Sequence, residues 1–194
     1  MMRSRLLLPL LLALASCATA NPVATASAPG LKRADLESYL PLAVGNEWRF
    51  RTTNDDRGGA VVIRIEGVER GFHVDNMGGR FRFDGEGLRD EERYLILLPL
   101  EAGHRWESRL AGGAVERYEI VATDEAVEVP AGTFTGALVV RATTRVDPST
   151  ELEREWTWVR GVGPVRIAAA AVRKDGRIPQ PGLELEAFVP AQRR

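Results

Sequence analysis

From Glu47 onward, apolar and polar positions alternate with a period of two. Val61, Ile63 and Ile65 are interleaved with Val62, Arg64 and Glu66; Phe81 and Phe83 with Arg80, Arg82 and Asp84; Tyr118 and Ile120 with Arg117 and Glu119; and Leu183, Leu185 and Ala187 with Glu184 and Glu186. Successive side chains of a strand point to opposite faces, so this pattern predicts antiparallel sheet with one face in a core and one in water. Turn signals separate the runs. Asp84-Gly85 predicts a type I′ hairpin, and Val129-Pro130-Ala131-Gly132-Thr133-Phe134 a type I turn with Pro at its second position and Gly at its fourth. Tyr94-Leu95-Ile96-Leu97-Leu98 is apolar on both sides, which predicts a central strand covered on both faces. Helical period is almost absent. A short helix is predicted over 32–40, with Asp35 as N-cap and Pro41 as stop, and the alanines of 168–173 make a helix the main competitor to a strand there. The chain reads as all-β, with roughly ten or more short strands and room for one short helix.

One stretch occurs twice. Pro41-Leu42-Ala43-Val44-Gly45-Asn46-Glu47-Trp48-Arg49-Phe50-Arg51 and Pro99-Leu100-Glu101-Ala102-Gly103-His104-Arg105-Trp106-Glu107-Ser108-Arg109 both read P-L-x-x-G-x-x-W-x-x-R. Pro fixes φ and Gly permits positive φ, so each copy predicts a turn that delivers a Trp to the start of a strand. Gly58-Gly59-Ala60-Val61 follows the first copy and Gly112-Gly113-Ala114-Val115 the second. The expectation is one β-unit used twice, over 41–98 and 99–194, within a single domain spanning 35–194. Trp48 and Trp106 are expected to plug the ends of a β core, the usual use of a large aromatic.

The first residues set the address. Arg3 and Arg5 form a basic stretch before the apolar run Leu6 to Ala15, which is too short to span a bilayer of about 30 Å as a helix. Leu14-Ala15-Ser16-Cys17 follows, and it resembles the lipobox of bacterial lipoproteins. The resemblance implies that residues 1–16 are a signal peptide removed before Cys17, that Cys17 carries the acyl anchor, and that the membrane is reached through it. Ala18 in place of Asp implies export to the outer membrane, facing the periplasm. Residues 17–34 are expected to hold the acylated Cys and a flexible tether, since Ala18 to Gly30 has neither charge nor hydrophobic period.

Composition narrows the function by exclusion. Of 194 residues, 44% are hydrophobic and 27% charged, ordinary for a globular domain. Removing residues 1–16 takes two arginines and no acid, which moves the net charge from −1 to −3. No basic face of the kind that binds nucleic acid is implied. Cys17 is the only cysteine, so once acylated it leaves no thiol for a disulfide, and the domain must hold by its core alone. The two histidines, His73 and His104, fall in different predicted elements without metal-ligand spacing. There is no G-x-S-x-G and no phosphate-binding glycine loop. Asp55-Asp56 and Asp90-Glu91-Glu92 sit in turns without a calcium-loop pattern. Glu151, Glu153 and Glu155 form a strand face, expected to be solvated and paired with arginines on a neighbouring strand.

Val129 to Phe134 and Trp156-Thr157-Trp158-Val159-Arg160-Gly161-Val162-Gly163-Pro164-Val165, together with the P-L-x-x-G-x-x-W at 41–48, resemble a pattern in uncharacterised secreted β-rich bacterial proteins. The resemblance implies a curved antiparallel sheet or half-barrel, similar in outline to the lipoprotein carriers LolA and LolB, with no assigned activity or catalytic residue. A sheet that curls without closing leaves a concave apolar face. Phe81, Phe83, Leu138, Val140, Trp156 and Trp158 are expected on it. Arg154 shares the strand face of Leu152, Trp156 and Trp158, where a cation would meet an anionic head group. The candidate site residues are Cys17 for the lipid anchor and Arg154, Trp156, Trp158, Phe81 and Phe83 for a ligand. The resulting expectation is a lipid-anchored, non-enzymatic envelope protein, without cofactor or metal, that binds an apolar ligand such as a lipid or an envelope-protein partner. A structural accessory subunit and a hydrolase with a site assembled in space are the competing readings.

Overall fold

The computed structural model of the chain describes residues 33–55 and 58–192. Cys17, the signal peptide and the tether up to residue 32 lie outside the described residues, as does Asp56. One short helix, α1 (Arg33–Glu37), precedes twelve strands: β1 (Glu47–Thr53), β2 (Ala60–Glu69), β3 (Phe72–Asp75), β4 (Arg80–Phe83), β5 (Gly87–Arg89), β6 (Tyr94–Leu97), β7 (Arg105–Arg109), β8 (Val115–Val129), β9 (Gly132–Asp147), β10 (Thr150–Val159), β11 (Gly163–Arg173) and β12 (Gly176–Val189). The alanines of 168–173 lie in β11, so the strand wins over the helix: Ala168 to Val172 pair with β10 on one side, and Ala169 to Arg173 with β12 on the other.

The strands form one antiparallel sheet in the order β6-β5-β4-β3-β2-β1-β12-β11-β10-β9-β8-β7. Two six-stranded meanders are therefore joined through β1 and β12, and the chain passes from β6 at one edge to β7 at the other. The sheet curls until those edges meet in a nearly closed barrel. No backbone ladder joins them among the described residues. Instead the Trp106 indole Nε1 on β7 donates to the Tyr94 carbonyl on β6 at 3.0 Å. The sequence reading placed Tyr94–Leu98 in the centre of the sheet; β6 is an edge strand. It is apolar on both sides because closure covers what an open edge would expose, leaving Leu95 and Ile96 both buried.

The two copies of the repeated stretch take the same local conformation. Gly45 and Gly103 have φ of 94° and 87°, a region that a side chain disfavours. The Gly45 N–H donates to the Ile65 carbonyl at 2.8 Å and the Gly103 N–H to the Ile120 carbonyl at 2.7 Å. The reciprocal bonds run from Ile65 to Asn46 at 3.0 Å and from Ile120 to His104 at 2.9 Å. Each copy thus pins its turn to the following strand, and each Trp is the second residue of its own strand and buried. The copies differ before the turn, where Leu98–Pro99 is a cis bond.

Two local expectations are corrected. Gly85 does not have positive φ, so the β4–β5 connection is not a type I′ turn. Asp84 makes it an Asx turn instead, its Oδ1 accepting from the N–H groups of Glu86 at 2.9 Å and Gly87 at 3.1 Å. Asp35 is the third residue of α1 and not its cap; its carbonyl accepts from the Ser38 hydroxyl and from Arg160.

The segment from α1 to Leu42 closes one end of the barrel. Leu36, Tyr39, Leu40 and Leu42 are buried in the same core as Trp48, Phe50, Trp158 and Leu185. The β10–β11 turn clasps the segment from outside. Gly161 N–H donates to the Ser38 carbonyl at 2.7 Å, and the Arg160 guanidinium lies over the Tyr39 ring, 4.6 Å from its centre. On the other side Asn46 Nδ2 donates to the Pro41 carbonyl at 2.6 Å.

Candidate ligand cavity

Inside the barrel, beneath Leu40 and Leu42, lies a cavity of about 120 Å³. Its walls are Trp48 and Phe50 from β1, Ile63 and Ile65 from β2, Phe81 from β4, Leu95 from β6, Trp156 and Trp158 from β10, and Pro164 and Ile167 from β11. Asp75 is the only polar side chain in the lining, and its Oδ1 is taken up by the N–H groups of Met77 and Gly79 at 2.9 and 2.7 Å. The space is the size of an apolar cavity that stays dry and holds a benzene-sized guest.

The three buried indoles are not alike. Trp48 Nε1 donates to the Val162 carbonyl at 2.6 Å, and Trp106 is tied to Tyr94 as described. Trp158 is 4% exposed, and its Nε1 has no partner. Burying such a donor unpaired costs roughly 1–3 kcal/mol. The strand irregularity between Thr157 and Trp158 sets Trp158 opposite Pro164 of β11 and Leu138 of β9, neighbours that offer no side-chain acceptor.

A second, open cavity of about 490 Å³ lies on the outer side of the same cap. It is lined by Glu37, Leu40, Leu42, Ala43, Gly71, His73, Arg82 and Phe83. Leu40 and Leu42 therefore stand between the two spaces. The Arg82 guanidinium sits over the Phe72 ring, 4.7 Å from its centre, while Arg82 Nε and His73 Nδ1 are buried without hydrogen-bond partners.

The structure distributes the sequence-derived candidates between these places. Phe81, Trp156 and Trp158 line the inner cavity and Phe83 the outer one. Leu138 and Val140 are wholly buried in the core beneath β9. Arg154 lies over the Trp156 ring, 5.8 Å from its centre, and donates from Nη2 to Glu116 Oε1 at 2.6 Å.

Glu116 was not singled out from the sequence, yet it is a fully buried carboxylate. It accepts from Arg93 Nη1 at 2.6 Å, from Thr144 Oγ1 at 3.1 Å, and from the Tyr118 hydroxyl as well as from Arg154. Burial pushes its pKa up, but the Tyr118 hydroxyl and the two guanidinium groups outweigh burial and hold it below the usual carboxylate range. The same burial and the adjacent carboxylate raise the Tyr118 pKa. The cluster joins β8, β9 and β10 to the β5–β6 loop, across the seam where the sheet's edges meet.

Several other charged groups are engaged locally. Asp90 Oδ1 accepts from the N–H groups of Glu92 and Arg93 at 2.9 and 2.8 Å. Glu155 pairs with Arg141 at 2.9 Å and Glu153 with Arg177 at 2.7 Å, so the acidic face of β10 is bridged by arginines of β9 and β12. His104 packs beside Trp106 with ring centres 5.6 Å apart. Among the described residues, no group of three or more His, Cys, Asp or Glu is placed to hold a metal ion.

No family model and no curated protein matches the chain. Among solved structures, it is similar to a candidate lipoprotein from Parabacteroides distasonis, with 13% identity, 78% of this chain and 98% of that one covered, and a TM-score of 0.44. A candidate exported protein with a YmcC-like fold from Bacteroides fragilis matches with 13% identity over 76% of this chain and 97% of its own, TM-score 0.43. The hypothetical lipoprotein YmcC from Escherichia coli matches with 10% identity over 81% and 92%, TM-score 0.39.

Proposed function

We propose that this chain is a bacterial lipoprotein, held by acylated Cys17 on the outer membrane facing the periplasm, whose barrel binds an apolar ligand without transforming it. The anchor rests on the Leu14–Cys17 pattern and the basic, apolar stretch before it. The binding role rests on one observation: a dry-walled cavity of about 120 Å³ in the barrel, bordered by an indole whose N–H has no partner. A well-packed core leaves few voids of this size, and a void lined by apolar side chains gains contacts when an apolar guest fills it. Phe81, Trp156 and Trp158 would contact the guest, and Phe83 would meet the part of it that reaches the outer cavity. Arg154, with its charge already answered by Glu116, would serve by backing the Trp156 ring.

Calorimetric titration with dodecanol tests this reading. Binding with a negative heat-capacity change is expected, the mark of apolar burial. Ile167→Phe, which fills part of the cavity, should weaken it severalfold. A wild-type protein that takes up no dodecanol would refute the reading.

A further inference from the structure

The β9–β10 and β11–β12 hairpins end side by side, at the end of the barrel away from α1. Strand β10 starts at these tips and finishes beside the β10–β11 turn that clasps Ser38. Arg145 of β9, Glu151 of β10, Val172 of β11 and Arg177 of β12 stand in one row on the outer face. An open cavity of about 280 Å³ lies there, and its lining includes Arg145, Arg173, Lys174 and one acid, Glu151. On the other face of the same hairpins, Val146 and Ile178 are 64% and 46% exposed. We infer that the two tips dock on an anionic lipid surface, with headgroup phosphate oxygens in the cavity on Arg145, Arg173 and Lys174, and with Val146 and Ile178 entering the boundary below the headgroups. The inference takes the Cys17 anchor from the reading above and needs nothing of its ligand.

Charge selects the partner. Elsewhere on the outer face arginines hold carboxylates: Arg51 and Arg166 hold Glu184, Arg141 holds Glu155, and Arg177 holds Glu153. At the tips this pairing stops. Arg145 reaches only the Pro148 carbonyl, at 3.4 Å, and neither Arg173 nor Lys174 has a partner among the described residues. Glu151 faces Arg145 across the ladder without forming an ion pair. Of the other acids nearby, Glu153 is taken by Arg177. Asp147 Oδ1 is folded onto its own turn, accepting from the Ser149 N–H at 2.7 Å and hydroxyl at 2.8 Å. Asp175 lies in the β11–β12 turn and is not part of the lining. The cavity thus gathers three cations against one carboxylate, in a chain whose net charge is −1. Phosphate oxygens would answer them by charge-assisted bonds.

The apolar side of the tips fits the same surface. Val146 lies two residues beyond Thr144, whose hydroxyl reaches the buried Glu116. Ile178 pairs with Ala171, which pairs with Leu152. Both therefore continue the barrel's inner face past the point where the core ends, and a lipid boundary would cover them as the core covers the rest. Chain length permits the contact. The ten residues of β10 span about 33 Å at ~3.3 Å per residue. Sixteen peptide links join Cys17 to Arg33, a reach of up to about 55 Å. One bilayer can hold the acyl chains and the tips together, which would fix the barrel's orientation.

Val146→Cys places a single free thiol on the acylated chain. It is labelled with a nitrobenzoxadiazole dye, and the protein is reconstituted in vesicles of phosphatidylcholine alone or mixed with phosphatidylglycerol. Val44→Cys, at a position 51% exposed in the turn at the capped end, serves as reference. Emission from position 146 is expected to rise severalfold and shift to the blue with phosphatidylglycerol, and to fall back at about 1 M salt, where screening is strongest. Emission from position 44 should stay unchanged. Each cation near an anionic surface is worth about fivefold in partition, so Arg145→Gln, Arg173→Gln and Lys174→Gln together should abolish the rise. Should the triple variant unfold, Arg173→Gln alone is read in its place and should reduce the rise. A response equal in both lipids, equal at positions 44 and 146, or unaffected by these substitutions would overturn the inference. Flotation separates this outcome from the anchor: a chain that floats with phosphatidylcholine vesicles but shows no rise at position 146 with phosphatidylglycerol overturns the docking and leaves the anchor standing.

Discussion

Glu116→Gln isolates the charge that locks the barrel's seam. The substitution keeps the size of the side chain and one oxygen, but it removes the charge facing Arg93 and Arg154 and turns an NH₂ toward one of them. Breaking a fully buried ion pair by removing one partner costs about 3–5 kcal/mol. Here the carboxylate is wholly buried while the Arg93 and Arg154 side chains are 21% and 29% exposed, so water screens part of the loss. The lower end, about 3 kcal/mol, applies. For a domain of this size that lowers Tm by roughly 6–12 °C. The pH dependence follows from the depressed folded pKa of Glu116. Its contribution is complete above the ordinary carboxylate pKa of about 4.3 and is lost as the pH falls through the lower folded value. The gap in Tm between wild type and Glu116→Gln should therefore be constant from neutral pH down to about pH 5 and narrow below it. Thermal melts followed by near-ultraviolet circular dichroism at a series of pH values measure both. A Gln variant melting within about 2 °C of wild type at neutral pH, or a gap that does not shrink in acid, would refute the assignment of Glu116 as the charged lock.

The tryptophans of the repeated stretch should both be structural: Trp48→Ala and Trp106→Ala are each expected to lower unfolding free energy by about 3–5 kcal/mol in urea, with Trp106→Ala additionally raising hydrogen exchange at β6, whose Tyr94 carbonyl it binds. Gly163 has φ of 106°, and an added Cβ would lie 2.8 Å from Trp48 Nε1, so Gly163→Ala should destabilise by about 1–3 kcal/mol, measured in the same titration. Cys17→Ser should move the protein from the membrane to the soluble fraction, since acyl chains hold by about 0.8 kcal/mol per buried CH₂; persistence in salt-washed membranes would contradict the anchor.

The strand class was legible because one wet face imposes a period of two, and β1, β8 and β12 carry it plainly. The twin turns were legible because only particular residues suit them, with Gly45 and Gly103 at positive φ. Strand order was not. Tyr94–Leu97 looked central because it is apolar on both sides, but covering by barrel closure and covering by a neighbouring layer leave the same local composition. The candidate cavity was legible in its walls and not in its cap. Aromatic alternation marked Phe81, Trp156 and Trp158. Leu40 stood out only as the end of a short helical segment and Leu42 only as part of the first repeated turn, because which end of a barrel a preceding segment covers is a tertiary matter. Glu116 did leave a signal: it stands two residues before Tyr118 and four before Ile120, on the apolar face of β8, just as Arg154 stands on the apolar face of β10. Two opposite charges on inward faces would be costly apart, so each implied the other.

Native mass spectrometry of the protein extracted from its own membranes in mild detergent tests the central claim most directly. The account predicts a noncovalent adduct beyond the mass of the acylated chain, retained in Glu37→Gln and lost or much reduced in Ile167→Phe. Only the mass of the acylated chain, in wild type as in the cavity-filled variant, would contradict it.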